Sequence, residues 1–175
     1  MNRSNDKPMG NNLSQLVKPL LNRKESGKPV VAIVIAGLGG MLAIATLSLI
    51  SSGTGHLLLM APFGATCVLL FSVPASPLSQ PVNVIGGHVV STFIGLLIIT
   101  LFPVEWWSLA LAVGLAISAM AMLRITHPPA GADPLVVMVS SAGWDYLLFP
   151  VAIGSLALLL IASLFNHFGR HITSR

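Results

Sequence analysis

The sequence predicts an all-α membrane protein, a polytopic helical bundle, on three observations. Of its 175 residues, 54% are hydrophobic and only 8% are charged, which gives a mean hydropathy of +0.87. Long uncharged runs alternate with shorter runs that contain proline and glycine, and basic residues gather near the amino terminus. Because soluble domains carry about 25% charged residues, this composition excludes an ordinary soluble domain.

The amino-terminal segment, residues 1–29, is a polar tail that holds six of the nine basic residues. It has no apolar core of signal-peptide length, so we expect no cleavage. Since Lys and Arg remain on the cytoplasmic side of membrane proteins, the tail is predicted to be cytoplasmic. Its basic residues are not interleaved with aromatic residues, which argues against nucleic acid as a partner.

Four long runs without Asp, Glu, Lys or Arg predict membrane-spanning helices. The first run has 21 residues and reaches about 31 Å as a helix, which is enough to cross the hydrocarbon core. Trp106 and Trp107 begin the third run, and tryptophan favours the membrane interface. The four runs are Val30–Ile50, Asn83–Pro103, Trp106–Leu123 and Tyr146–Phe165.

Two shorter apolar runs, Leu57–Val73 and Pro128–Ala142, decide the predicted topology. If both cross, six crossings put the basic tail, Arg124 and the basic carboxyl-terminal tail (residues 166–175) on one side of the membrane. Glu105 and Asp145 then lie on the other side, as the positive-inside rule requires. With only four crossings Arg124 falls opposite the tail, so we expect six crossings of a cytoplasmic membrane, with both termini cytoplasmic.

The transmembrane region, residues 30–165, contains an internal repeat. Pro62–Thr66 and Pro129–Asp133 share the pattern Pro-x-Gly-Ala followed by a small polar residue. Each lies in a short segment between two long ones, so residues 30–103 and 106–165 are predicted to be three-segment repeats. Three crossings invert the second repeat relative to the first. Inverted repeats with proline- or glycine-interrupted second and fifth segments are typical of transporters with a midplane site.

Proline favours the first turn of a helix, so the short helices are predicted to begin at Pro62 and at Pro128 or Pro129. A helix start presents unpaired backbone N–H groups and the positive end of the helix dipole, which together favour an anion. Gly64 and Gly131 would let an ion approach the backbone closely. We therefore expect the two starts to face each other and to bind an anion between them.

Ionisable residues inside apolar runs indicate a functional site by default. His127 is predicted either to bind the anion or carry a proton, or to tie its loop to a carbonyl group. Asp133 is predicted to cap the short helix, accept a proton or pair with Arg124. The predicted binding residues are Pro62, Phe63, Gly64, Ala65, Thr66, His127, Pro128, Pro129, Ala130, Gly131, Ala132 and Asp133, and the predicted pathway or gating residues are His88, Asn83 and Arg124.

Three blocks of this sequence resemble the HPP family of integral membrane proteins across about residues 28–168. They are Ala61-Pro62-Phe63-Gly64-Ala65-Thr66, the stretch from Gln80 to His88, and His127-Pro128-Pro129-Ala130-Gly131-Ala132-Asp133-Pro134, whose first three residues match the motif that names the family. The resemblance implies a transporter, and members in cyanobacteria and chloroplasts are linked to nitrite transport. It also implies about four transmembrane helices, whereas the charge pattern favours six.

The function we expect is transport of a small inorganic anion, with nitrite as one candidate, without cofactor or metal. The partners expected are the anion, the lipid bilayer and further copies of the chain. One alternative is a membrane assembly subunit. Another is a membrane enzyme in which His127, Asp133 and His88, with His56 as a further candidate, form an acid-base or metal site. The enzyme is disfavoured because the sequence lacks HExxH, paired cysteine ligands and a second acid inside the apolar region.

Overall fold

The structure is a computed structural model that describes residues 17–19, 21–22 and 26–173. From residue 26 onwards it contains six α-helices and no strand, which confirms the predicted all-α class. The long helices are apolar over most of their length, and the short ones begin with Pro62 or carry Pro134 in their first turn. The helices are α1 (Val30–Thr54), α2 (Pro62–Cys67), α3 (Pro81–Leu101), α4 (Trp106–Met122), α5 (Asp133–Val139) and α6 (Ile153–Thr173).

Shorter helical turns adjoin α2, α3, α5 and α6. The α2 helix begins at Pro62, as predicted, whereas Pro128 begins a 3-10 turn and the α5 helix proper starts only at Asp133. The turns are the π turn Val68–Ser72 after α2, the 3-10 turns Pro77–Ser79, Pro128–Ala132 and Trp144–Leu147, and the π turn Leu148–Ala152 before α6.

Three helical stretches in the described residues are long and apolar enough to cross a membrane: Val30–Thr54, Pro81–Leu101 and Trp144–Phe168. The third of the four long runs, Trp106–Leu123, forms α4. This apolar helix has 17 residues, is about 26 Å long and is shorter than those three stretches. The α6 helix continues to Thr173, through residues assigned above to the carboxyl-terminal tail. Most of the predicted amino-terminal tail lies outside the described residues.

Hydrogen bonds show which helix ends adjoin. Lys28 Nζ, just before α1, donates to the Ser72 carbonyl oxygen at the end of the π turn after α2, at 2.7 Å. Asn83 Nδ2, at the start of α3, donates to the Thr126 carbonyl oxygen just beyond α4, at 2.9 Å. At the opposite end, the His56 ring stacks on Phe149 with centroids 4.7 Å apart. The start of α1, the end of the π turn after α2 and the end of α4 therefore lie at one end of the bundle, and the six crossings stay a prediction.

The apolar core has two clusters, each built around one short helix. The first joins α2 to α1 and α6, through residues such as Leu47 and Leu158, and it also contains Val84 of α3. The second joins α5 to α3 and α4, through residues such as Val137 and Leu96. If α1, α2 and α3 exchange places with α4, α5 and α6 respectively, the group of α1, α2 and α6 becomes the group of α4, α5 and α3. This packing is what an internal repeat predicts, and the inverted repeat stays a prediction.

The small residues of α3 allow close packing inside the protein. A Cβ atom at Gly87 would lie 2.7 Å from the Cβ of His127, and one at Gly95 would lie 2.7 Å from the Cα of Pro134. By contrast, Gly114 on α4 has no atom within 4 Å of such a Cβ and is exposed. The glycines of α3 therefore let the segment from His127 to Pro134 approach that helix.

We expect Gly95→Ala to lower the free energy of unfolding by about 1–3 kcal/mol. The new methyl group would collide with the backbone of Pro134 and the side chain of Val137, and neither can move away from it without disturbing α5. The matched control is Gly37→Ala on α1, which adds the same methyl to an exposed helix position with no atom within 4 Å of it and should raise stability by up to about 1 kcal/mol. Thermal unfolding in detergent measures both. Equal effects of the two substitutions would contradict the close packing of α3 on α5.

Candidate functional site

Polar side chains gather where α2, α3 and the segment before α5 meet. Thr66, His88, Thr92, His127 and Asp133 all have 0% of their surface exposed. His88 and Thr92 are the eighth and twelfth of the 21 residues of α3, so the cluster lies well inside that helix rather than at its ends. Ionisable groups at such depth mark a functional site in membrane proteins.

A continuous series of hydrogen bonds joins these side chains, which we call the Thr66 chain. The Oγ1 of Thr66 lies 2.9 Å from Nε2 of His88 and 3.0 Å from Nε2 of His127. Nδ1 of His88 lies 2.8 Å from Oδ2 of Asp133. At the other end, Nδ1 of His127 lies 2.9 Å from the carbonyl oxygen of Leu78. The series thus runs from Asp133 to the loop before α3.

The donors in this series follow from the carbonyl group at its end. A carbonyl oxygen only accepts, so Nδ1 of His127 carries a proton, and Nε2 of the neutral ring is then an acceptor. The Thr66 hydroxyl must therefore donate to His127 and accept from Nε2 of His88. Neutral histidines thus leave one arrangement of protons along the Thr66 chain.

The bond between His88 and Asp133 contains one proton, which sits either on Oδ2 or on Nδ1. Both forms leave the pair without net charge, which is what an apolar interior favours. Thr92 Oγ1 also donates to Oδ2, at 3.4 Å, while Oδ1 is buried and has no hydrogen-bond partner among the described residues. An unpartnered oxygen costs less as the carbonyl of a neutral acid than as part of a carboxylate.

Local sequence explains how these groups come together. Thr66 lies one turn into the helix that Pro62 begins, and Gly87 leaves room for His127 beside α3. His88 and Thr92 are four residues apart and so share one face of α3. After α4 the chain turns at Arg124, whose φ of 59° is in the left-handed region that follows many helix ends. That turn directs His127 back into the bundle.

The structure brings together some predicted binding residues and separates others. Pro62, Phe63, Thr66, His127, Pro129, Ala130 and Asp133 are buried, whereas Gly64, Ala65, Pro128 and Ala132 are exposed and Gly131 is intermediate. Gly64 lies about 200° around α2 from Thr66. It borders a groove of about 1400 Å³ between α1 and α2 instead. The Phe63 ring packs edge-on against His88, with centroids 5.2 Å apart.

Three backbone amides at the starts of the short helical segments are paired, although the sequence predicted unpaired amides there. The amides of Phe63 and Gly64 donate to the carbonyl oxygens of Met60 and Ala61, and the Ala130 amide donates to that of His127. The turn before each helix supplies these acceptors. In this conformation the donors available at the site are therefore side-chain N–H and O–H groups, not those amides.

Three further expectations have structural outcomes. Asp133 pairs with His88 and not with Arg124, which is exposed near the end of α4. His127 is tied to a carbonyl group, Leu78, as one of its two interpretations required. Asn83 donates to the Thr126 carbonyl, so it connects α3 to the segment that leads to His127.

Sequence reasoning missed Ser91, Thr92 and Leu78 as parts of the site. Ser91 Oγ donates to the Ala130 carbonyl oxygen at 2.6 Å, and so holds the 3-10 turn against α3. The spacing of Ser91 and Thr92 after His88, three and four residues, could have identified both. Nothing in the sequence around Leu78 indicates that its carbonyl faces His127. In the part of the chain that the structure describes, no three His, Cys, Asp or Glu side chains are grouped to hold one metal ion.

The family model for the transmembrane region of HPP proteins matches residues 25–173. The chain belongs to the HPP transmembrane family. Two proteins of Dictyostelium discoideum, both named transmembrane proteins, are 41% and 36% identical to this HPP protein in alignments of 121 residues that cover 64% of its chain. Those alignments cover 39% and 42% of their own lengths, so the chain spans about two fifths of these curated relatives. No solved structure matches it.

Substitutions of Asp133 test the neutral pair in this HPP protein. Asp133→Asn should lower the free energy of unfolding by no more than about 1 kcal/mol, because the amide N–H donates to His88 as the carboxylic O–H does. Asp133→Leu should lower it by about 3 kcal/mol, since His88 and Thr92 lose their partner. Unfolding in detergent is the measurement, and losses of equal size would show that a charged carboxylate is required.

Proposed function

We propose that this HPP protein carries a small inorganic monoanion across the membrane, with nitrite as one candidate, and that the anion binds between His88 and His127. One observation carries the proposal. The Nε2 atoms of both imidazoles lie within 3.0 Å of a single buried oxygen, Thr66 Oγ1. An oxygen of an anion at this position would accept a hydrogen bond from each ring, and such bonds to a charged group are the stronger kind.

The Thr66 hydroxyl has a second acceptor that would let it move aside. It lies 3.3 Å from the Pro62 carbonyl oxygen in its own helix, as well as 3.0 Å from His127. If the hydroxyl donates to that carbonyl instead, its hydrogen bond to His127 is broken, and a rotation about χ1 would then move the oxygen away from both imidazole edges. The rings themselves are 4.9 Å apart between centroids, so the bound anion has to be small.

The position of the site also supports transport. The first residues of the two short helices, Pro62 and Asp133, are buried, and backbone breaks inside a membrane protein are tolerated where protein or a polar cavity surrounds them. Substrate sites of many transporters lie at such breaks between repeats. The site is tightly packed, so we propose that transport requires the α2 side of the site to separate from α3 and the segment that contains His127.

Flux into proteoliposomes made with the purified protein tests this function. Uptake of nitrite, nitrate, formate and chloride should be compared with uptake by protein-free vesicles, and we expect at least one of these anions to enter faster. His127→Ala and Asp133→Leu should reduce that uptake about tenfold or more, because the first removes a donor at the site and the second removes the partner that orients His88.

The control is His56→Ala, which removes an exposed imidazole that stacks on Phe149 outside the Thr66 chain. Its uptake should match that of the wild type. Equal uptake by all four proteins would refute the site, even if transport itself persisted. Uptake that appears only after a second protein is added would favour the alternative, a subunit that assembles with a partner.

Location and assembly are part of the proposal. We propose that both termini face the cytoplasm, because Lys28 and the turn at Arg124 adjoin the same end of the bundle and basic residues stay inside. We also propose that copies of the chain associate through α4. Its small residues Ala110, Gly114 and Ser118 face outward at four-residue spacing, which permits close helix contact in a membrane.

A further inference from the structure

The Leu78 carbonyl determines how many protons the site can hold. It accepts from Nδ1 of His127 at 2.9 Å, so that nitrogen keeps its proton. In the structure Nε2 of the same ring accepts from Thr66, and the ring is neutral. If an anion replaces the hydroxyl, Nε2 faces an acceptor and must carry a proton of its own. His127 is then protonated on both nitrogens and has a charge of plus one.

We propose that one proton binds to Nε2 of His127 with each anion, so that the protein moves a neutral pair of proton and anion. This inference rests on the proposed function and adds its coupling. The proton binds through the lone pair of Nε2, and no electron is transferred. When the anion leaves and the Thr66 hydroxyl again donates to Nε2, no ring proton fits between them. The proton must therefore leave with the anion.

The other ionisable groups around the site do not supply the compensating charge. His88 already donates from Nε2 to Thr66, so it can donate to the anion without an added proton. The His88 and Asp133 pair is neutral whichever of the two holds the shared proton. Tyr146, which lies near Asp133, is an uncharged phenol at neutral pH, and Arg124 is exposed. The positive charge consequently falls on His127.

A neutral pair predicts a specific response to voltage. A membrane potential of about 100 mV shifts the equilibrium of one uncompensated charge by about 50-fold, and that of a neutral pair not at all. Wild-type protein in vesicles loaded with a pH-sensitive dye should therefore take up one proton per nitrite. A potassium gradient with valinomycin should change the initial rate less than about twofold, whereas an alkaline interior should accelerate uptake. Protein-free vesicles correct for leakage of nitrous acid, and nitrate serves as a second probe without that leakage.

Two glutamine variants separate coupling from binding. His127→Gln can donate one N–H to the anion but cannot take a proton, so its remaining uptake should respond to the potential and carry no protons. His88→Gln retains an amide donor and leaves His127 intact, so its uptake should be slower but still accompanied by one proton per anion. A thermal unfolding measurement on each variant shows whether it is folded.

The outcomes distinguish the two proposals. Wild-type uptake that follows the potential without proton movement would overturn the coupling and leave anion transport standing. A proton ratio of one that persists in His127→Gln would place the proton elsewhere and overturn the assignment to His127. Failure of the wild type to take up any of the anions would overturn both proposals. The wild-type measurement decides the coupling even if a variant does not fold.

Discussion

Thr66, between the two imidazoles, is the contact on which the rest of the interior depends. A polar group buried in apolar surroundings without a partner costs several kcal/mol, so every polar side chain here must find its partners inside the bundle. Thr66 Oγ1 serves His88 on α3 and His127 before α5. One hydroxyl therefore determines how α2, α3 and the second short segment approach one another.

The surrounding packing follows from that requirement. Imidazole rings can meet a threonine at hydrogen-bond distance only if the backbones come close, and Gly87 and Gly95 permit this on α3. Ser91 adds a short hydrogen bond to the Ala130 carbonyl, which holds the 3-10 turn in place. The apolar clusters on either side of the Thr66 chain contain one short helix each. The chain of hydrogen bonds thus connects the two groups of helices, which also meet where Val84 of α3 enters the first cluster.

The electrical state of the site has the same origin. An apolar interior favours groups with no net charge, and the described hydrogen bonds can all be satisfied without any. His88 and Asp133 share one proton, His127 is held in a single tautomer by Leu78, and Thr66 connects the two. Adding an anion disturbs that balance at one nitrogen, Nε2 of His127. The need to compensate the charge of the anion and the count of hydrogen-bond donors and acceptors therefore both assign the added proton to His127.

The sequence predicts most of the polar residues of the site, but it does not predict which of them contact each other. His127, His88 and Asp133 stand out in the sequence because ionisable groups inside apolar runs are costly, and Thr66 stands out because it ends the first copy of the repeat motif. Their partners were not predicted. Asp133 was given Arg124, nine residues away in sequence, as one partner, whereas its partner is His88, 45 residues away. The helix-start amides were expected to be free, but the preceding turns supply acceptors for Phe63, Gly64 and Ala130.

The sequence by itself determined the class of the protein, the long helices and the short segments that begin at proline, because hydropathy and the fixed φ of proline act locally. It also determined which polar residues would lie among apolar ones. Only the tertiary structure decided which of them meet, because contacts across 22, 45 and 61 residues depend on how helices pack. The tautomer of His127 depends on a backbone carbonyl 49 residues away, and no local pattern in the sequence encodes that distance.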